Sequence, residues 1–282
     1  MVTATKTRQE SRKVIAALAR FGYAARGVVY CIVGALAVLA ALGSGQQAAG
    51  SGGALRALFA EPFGPGALVV LAVGLLGFAL WRAVQAVLDP DRNGTSSEGL
   101  LTRAAYFVGA LTYGLLAGSA LSLVFGSGNG GDDDASARDW TAWLLSQPFG
   151  RWITDAVGIA VAGAGVSFIV EAWRADVTQH MRFGPEVRRW IVPLGRAGYA
   201  ASGAVSVLIG TFLLFAAVQG NSAEARGLSG SLGTIQQAPY AWILLSFFAL
   251  GLFAFGVFGM MQAVYRDVDP PDLNELQRLT DR

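Results

Sequence analysis

Six stretches of this chain contain no Asp, Glu, Lys or Arg: residues 27–42, 66–81, 104–125, 156–170, 198–218 and 241–264. With flanking Trp, Tyr and Arg placed at the membrane–water boundary, each reaches the roughly 20 residues that cross about 30 Å of hydrocarbon. The pattern predicts an all-α polytopic membrane protein with six transmembrane helices. Composition agrees: 54% of the 282 residues are hydrophobic and 14% are charged, against about 25% charged in an average soluble domain. The fourth stretch is the shortest, with 15 residues between Asp155 and Glu171, about 22 Å at helical rise. One of these carboxyls is therefore expected close to or within the apolar region, and both are candidate membrane-embedded acids.

Six spans put both termini on one side. Of the 21 basic residues, four (Arg56, Arg138, Arg151 and Arg226) fall in the segments 43–65, 126–151 and 219–240, leaving 17 on the side of the termini. The positive-inside rule then makes both termini cytoplasmic. The expected location is the cytoplasmic (inner or plasma) membrane of a bacterium, with the bilayer as the principal partner. Anionic lipid is a further expected partner at the basic cytoplasmic face. Arg outnumbers Lys 19 to 2, which reads as genome composition, and no nucleic-acid partner is expected.

The chain also repeats itself. Arg20-Phe-Gly-Tyr23, Arg103-Ala-Ala-Tyr106 and Arg196-Ala-Gly-Tyr199 each open an odd-numbered span. Seven and fourteen residues after each Arg stand small residues: Gly27 and Gly34, Ala110 and Ala117, Gly203 and Gly210. Pro62-Phe-Gly64, Pro148-Phe-Gly150 and Pro239-Tyr-Ala241 precede the even-numbered spans, and 23 residues after each Pro come Gln85-Ala86, Glu171-Ala172 and Gln262-Ala263. The copies are offset by 83 and 93 residues at the Arg and by 86 and 91 at the Pro. The organisation expected is a basic N-terminal segment 1–17, repeats at 18–92, 99–177 and 192–268, and a tail at 269–282. Two helices per repeat keep each copy in the same orientation, which implies a pseudo-threefold axis along the membrane normal. The first span, being one third of this pattern, reads as part of the fold and not as a cleaved signal.

The Arg-x-x-Tyr openings, the Leu55-Arg-Ala-Leu-x-x-x-Pro-Phe-Gly64 linker and the endings Gln85-Ala, Glu171-Ala and Gln262-Ala-Val-Tyr-Arg266 resemble the bacterial "domain of unknown function 1206" membrane family. The resemblance runs from about residue 14 to 268 and includes the threefold tandem arrangement. The third linker, Leu232-Gly-Thr-Ile-Gln-Gln-Ala-Pro239, departs from it by lacking the basic residue. The family implies an architecture and no activity.

Residues spaced by seven share a helix face, and small ones there let another backbone approach. Gly27, Gly34, Ala110, Ala117, Gly203 and Gly210 are thus expected at helix contacts. In the third span the series extends to Gly114, Gly118 and Ser122, for which a homodimer face is the alternative. The fourth span, small on most faces, is expected to be enclosed by other helices. Short pieces at 55–59, 140–145 and 232–235 read as interfacial helices on the outer leaflet, with Pro starting the next span. Asp132–Asp134 reads as part of a solvated flexible loop.

Arg20, Arg103 and Arg196 share a depth with Gln85, Glu171 and Gln262, which predicts a polar clasp in which Glu171 contacts Arg103 or Arg196. A selectivity ring is the functional alternative. A single Cys31 and a single His180 exclude disulfide frameworks, paired-His haem ligation and most metal sites. No nucleotide loop or nucleophile–base pair is readable, so neither enzyme activity nor a cofactor is expected. What remains is a structural, lipid-binding or partner-stabilising membrane protein, or alternatively a small transporter or channel with a cavity on the pseudo-threefold axis.

Overall fold

The computed structural model describes residues 2–42, 48–90, 94, 96–126, 133–174, 178, 181, 183–237 and 240–266; Asp132, His180, Pro239 and the 269–282 tail lie outside the described residues. Among those described, there are six long helices: α1 (Val2–Ala41), α3 (Gly64–Leu88), α4 (Ser97–Phe125), α6 (Gly150–Arg174), α7 (Pro185–Gln219) and α9 (Ala241–Tyr265). Three short helices, α2 (Ser51–Phe59), α5 (Asp133–Leu145) and α8 (Leu228–Gln236), precede α3, α6 and α9, and no strand is formed. Each long helix carries an apolar segment long enough to cross a membrane, so the chain is a six-span multi-pass membrane protein. The ends follow local chemistry. Ser96 caps α4 by accepting a hydrogen bond from the Gly99 N–H at 3.2 Å, and Gly126 and Gly220 close α4 and α7 in the left-handed conformation.

The long helices form a ring in chain order, α1–α3–α4–α6–α7–α9, closed by α9 against α1. The closest joins lie between repeats, and small residues make two of them. A Cβ added at Gly27 would lie 2.7 Å from the Gly256 carbonyl oxygen, and one at Gly203 would lie 2.6 Å from that of Gly165. One at Gly34 would lie 2.6 Å from the Phe253 nitrogen, and one at Gly210 2.6 Å from the Ala162 nitrogen. Backbones this close leave no space for a side chain, so these four glycines are contact positions. At the third join, α3 on α4, the equivalent positions are Ala79 and Ala110. Ala117 is fully buried and Ala110 half-buried. A Cβ on Gly114 would stand an ordinary 4.0 Å from that of Ala79, and one on Gly118 would meet nothing within 4 Å.

Three expectations need correction. The fourth span is not enclosed: α6 packs on α7 through Gly158 and Gly165, while Ile159 and Val166 are exposed. Small residues permit close approach on every face, but only the face toward α7 is closely packed. The prolines do not begin the spans; Pro62 and Pro148 stand two residues before α3 and α6, in tight turns closed by Gly64 N–H to the Glu61 carbonyl and Gly150 N–H to the Gln147 carbonyl, both 2.8 Å. Nor is Asp134 part of a flexible loop. It lies in the first turn of α5, and its Oδ1 accepts from the N–H groups of Gly227 and Gly230 at 2.8 and 2.9 Å, satisfying donors at the start of α8.

The short helices cap one end of the bundle and touch one another. Ser229 Oγ accepts from the Gly50 N–H at 3.0 Å and Gln236 Oε1 from the Ala48 N–H at 3.2 Å, tying α8 to the start of α2. Leu55, Thr141 and Leu232, each seven residues before its repeat's Pro, are all buried. Beside this cap Phe63, Phe149 and Tyr240, the residues that follow those prolines, are 87%, 77% and 76% exposed.

Candidate functional site: an arginine and aromatic cluster

The opposite end of the bundle, where the Arg-x-x-Tyr motifs lie, is filled by side chains from all six long helices. Tyr23 and Arg26 are one turn apart on α1, and Phe78, Arg82 and Gln85 share a face of α3 at helical spacing. Phe255, Phe258 and Gln262 come from α9, with Arg266 as its C-cap. Tyr199 on α7, Tyr106 on α4, and Phe168 and Glu171 on α6 complete the set. Arg26, Arg82 and Arg266 are buried, Arg26 at 2% exposure and the other two at 8%.

Aromatic rings separate the cations. The Arg26 guanidinium lies between Phe78 and Phe255, 5.1 and 4.5 Å from their centroids, and 5.8 Å from that of Tyr23. Arg82 lies 5.0 Å from the Phe78 centroid and 4.7 Å from Tyr106, and Arg266 lies 5.0 Å from Tyr23. Phe78 is thus shared by Arg26 and Arg82, and Tyr23 by Arg26 and Arg266. Each such contact is worth about 0.5–2 kcal/mol, more when desolvated. Two amides add acceptors: Gln262 Oε1 takes a hydrogen bond from Arg26 Nη2 at 3.1 Å, and Gln85 Oε1 one from Arg82 Nη1 at 3.3 Å. Gln262 Nε2 donates to the Tyr199 hydroxyl at 3.4 Å. The charges of Glu171, Arg26, Arg82 and Arg266 all act on Tyr199. Among the described residues, three buried donors at this end have no partner, Arg26 Nε, the Tyr23 hydroxyl and Trp81 Nε1.

The cluster is built on residues other than the three motif arginines. The tyrosines of the three motifs enter it, and Tyr23 and Tyr199 are buried. Of the motif arginines, Arg20 and Arg196 are exposed. Arg103 donates from Nε to the Ala86 carbonyl at 2.8 Å and from Nη2 to the Val87 carbonyl at 3.0 Å. Those carbonyls belong to the last turn of α3 and have no intrahelical donor, so a cation there satisfies them and the helix dipole together. Gln85 accepts from Arg82 and Gln262 from Arg26, two arginines outside the motif. Glu171 is half-buried beside the cluster. Asp155 is half-buried in α6, 16 residues from Glu171 and so about 24 Å away along the helix, outside the cluster. Among the described residues no group of three His, Cys, Asp or Glu is placed to hold a metal ion.

Sequence reasoning missed Arg26 and Arg82 because each borders a charge-free stretch, Arg26 just before residue 27 and Arg82 just after residue 81, and so reads as a flank. The signal lay in the repeat register. Six residues after the motif Arg, Arg26 aligns with Gly109 and Ser202; twenty after the Pro, Arg82 aligns with Phe168 and Gly259. One further break matters. Sixteen residues after the Pro, Phe78 and Phe255 align with Ala164. Two phenyl rings flank Arg26, and repeat 2 supplies a half-buried Ala164 where the third would stand. In the same repeat α4 and α6 are the most loosely joined neighbours in the ring.

The chain matches the family model described as Domain of Unknown Function (DUF1206) in three segments, residues 21–89, 104–175 and 197–266. It is 33% identical over 265 residues to the uncharacterized protein YxxB of Bacillus subtilis (strain 168), covering 93% of this chain and 95% of that protein. No solved structure gives a significant match.

Proposed function

Because the chain belongs to the Domain of Unknown Function (DUF1206) family, whose description carries no activity, we propose on physical grounds that it is a structural, lipid-binding membrane protein and neither a conduit nor an enzyme. One observation carries this reading: the bundle axis is filled at both ends. Leu55, Thr141 and Leu232 close the cap end, and Tyr23, Arg26, Phe78 and Phe255 fill the other. A hydrated path along the axis would leave such side chains wet. The reading takes the termini as cytoplasmic, from the 17-to-4 division of basic residues. Exposed Arg20, Arg188 and Arg189 then face an anionic leaflet.

The buried guanidiniums favour a second reading, a transporter of an anionic substrate, since intramembrane charges commonly mark such paths. Flux distinguishes the two. Purified protein reconstituted into liposomes is expected to pass chloride, phosphate and a small anionic dye no faster than protein-free liposomes. Saturable flux of any of the three would replace the first reading with the second. Orientation has its own check: with Cys31 replaced, an impermeant thiol reagent applied to intact cells should label Ala223→Cys and spare Gly94→Cys.

A further inference from the structure

We propose that the arginine and aromatic cluster is a binding site for a phosphate-class oxyanion, brought by an acidic phospholipid headgroup or by the free anion. The argument begins with charge. Among the described residues, the charges of three guanidiniums and of the Glu171 carboxylate act on Tyr199. Arg266 also bears on Arg82 as a like charge. Among the described residues the cluster sets the guanidiniums of Arg26, Arg82 and Arg266, none more than 8% exposed, against the single carboxylate of Glu171. Uncompensated buried charge costs several kcal/mol per ion, and ions in such places pair. The cation–aromatic contacts and the Gln85 and Gln262 acceptors offset part of that cost, but neither amide carries charge.

Unmet donors and the repeat register point the same way. Arg26 Nε and the Tyr23 hydroxyl are fully buried hydrogen-bond donors without acceptors, and leaving such donors unmet costs about 1–3 kcal/mol each, more for the charged one. The planar forks of several arginines match phosphate oxygens, which accept two N–H groups at once. The repeat register leaves one position without a ring. Phe78 and Phe255 occupy two of three equivalent positions around Arg26, and Ala164 stands at the third. On that side Tyr106, Ala164, Phe168 and Glu171 are all half-buried, and α4 and α6 form the loosest join. An anion entering there reaches Arg82 and Arg26, while lipid chains attached to it would remain outside between α4 and α6. This deepens the lipid-binding reading and rests on it only for the source of the anion; the liposome flux assay tests that reading separately.

The test uses the full chain in a neutral detergent at constant ionic strength, with thermal unfolding followed by tryptophan fluorescence. Dihexanoyl phosphatidylglycerol, dihexanoyl phosphatidylcholine and inorganic phosphate are titrated in parallel. A saturable rise in midpoint with phosphatidylglycerol and none with phosphatidylcholine supports the site with a lipid headgroup as its occupant. A saturable rise with inorganic phosphate supports it with a free anion. No difference among the three overturns it. Arg82→Gln and Arg26→Gln should each weaken the apparent affinity by about tenfold or more, the equivalent of one charged hydrogen bond, whereas Arg196→Gln should leave it unchanged. Ala164→Phe keeps every arginine and fills the third position, and it too should abolish the response. Should the arginine variants fail to fold, the wild-type titrations and Ala164→Phe decide. Equal weakening by Arg196→Gln and Arg82→Gln, or full binding in Ala164→Phe, would assign the effect to surface charge and overturn the site.

Discussion

Repeats 1 and 3 are each drawn tight by a glycine against a phenylalanine, and repeat 2 is not. A Cβ at Gly22 would lie 2.6 Å from the Phe78 backbone nitrogen, and one at Gly198 2.6 Å from the Phe255 Cα and nitrogen. In repeat 2 the equivalent pair is Ala105 and Ala164. The consequence is visible in the helices: α4 and α6 carry the least buried spans of the six and meet each other least closely. Three copies of one motif therefore need not make three equal joins. Marks at the helix ends keep the ring in register, while the residues midway decide how firmly each copy closes. The copy that closes least is also the one facing the buried cations.

The largest test of this contrast is Gly198→Leu, with Gly22→Leu beside it. Both force a side chain into a neighbouring backbone, and each should cost more than about 3 kcal/mol, beyond ordinary overpacking, read as loss of monodisperse protein after detergent extraction. Next comes Asp134→Ala. It removes the carboxylate by which α5 of repeat 2 holds the start of α8, leaving two N–H groups without that acceptor. It should cost about 1–3 kcal/mol in thermal unfolding, because a loosely joined repeat depends on its cap. Ala105→Leu, at the position equivalent to Gly22 and Gly198, should cost less than about 1 kcal/mol if the join of repeat 2 has the slack described. A loss matching that of Gly198→Leu would erase the contrast between repeats. Smallest is Gly118→Leu, at a position with nothing within 4 Å, expected within about 0.5 kcal/mol of wild type; a clear loss of stability, or a changed mass by light scattering, would show that another copy of the chain covers α4 there.

The six spans were legible because membrane helices announce themselves by uninterrupted apolarity, and the ring could be anticipated because its tightest joins use side chains small enough to mark a sequence. Gly27, Gly34, Gly203 and Gly210 illustrate this. What escaped was interaction at long range. Asp134 reads as one acid among several, since the glycine it caps lies 93 residues on. Arg26 and Arg82 read as flanks, because charge at the edge of an apolar run looks the same whether the side chain snorkels to the boundary or turns inward over a phenyl ring. Arg20 and Arg196 do the first and Arg26 and Arg82 the second. Only their lack of counterparts in the other repeats separates them, and the search for symmetry passes over such residues.

Phe63, Phe149 and Tyr240 have a mechanical consequence. Each stands at the same place in its repeat, one residue after the linker proline, and each projects from the cap end with most of its ring uncovered. A Tyr ring settles at the level of lipid headgroups, and exposed Phe rings insert at the headgroup–acyl boundary just beneath. Two such anchors would leave the bundle free to rock about the line joining them, but three points define a plane. Tilting the bundle in any direction must lift at least one ring out of that layer or drive one deeper. The threefold repeat therefore does for orientation what the glycine joins do for closure: it gives the molecule a level footing from a short motif used three times.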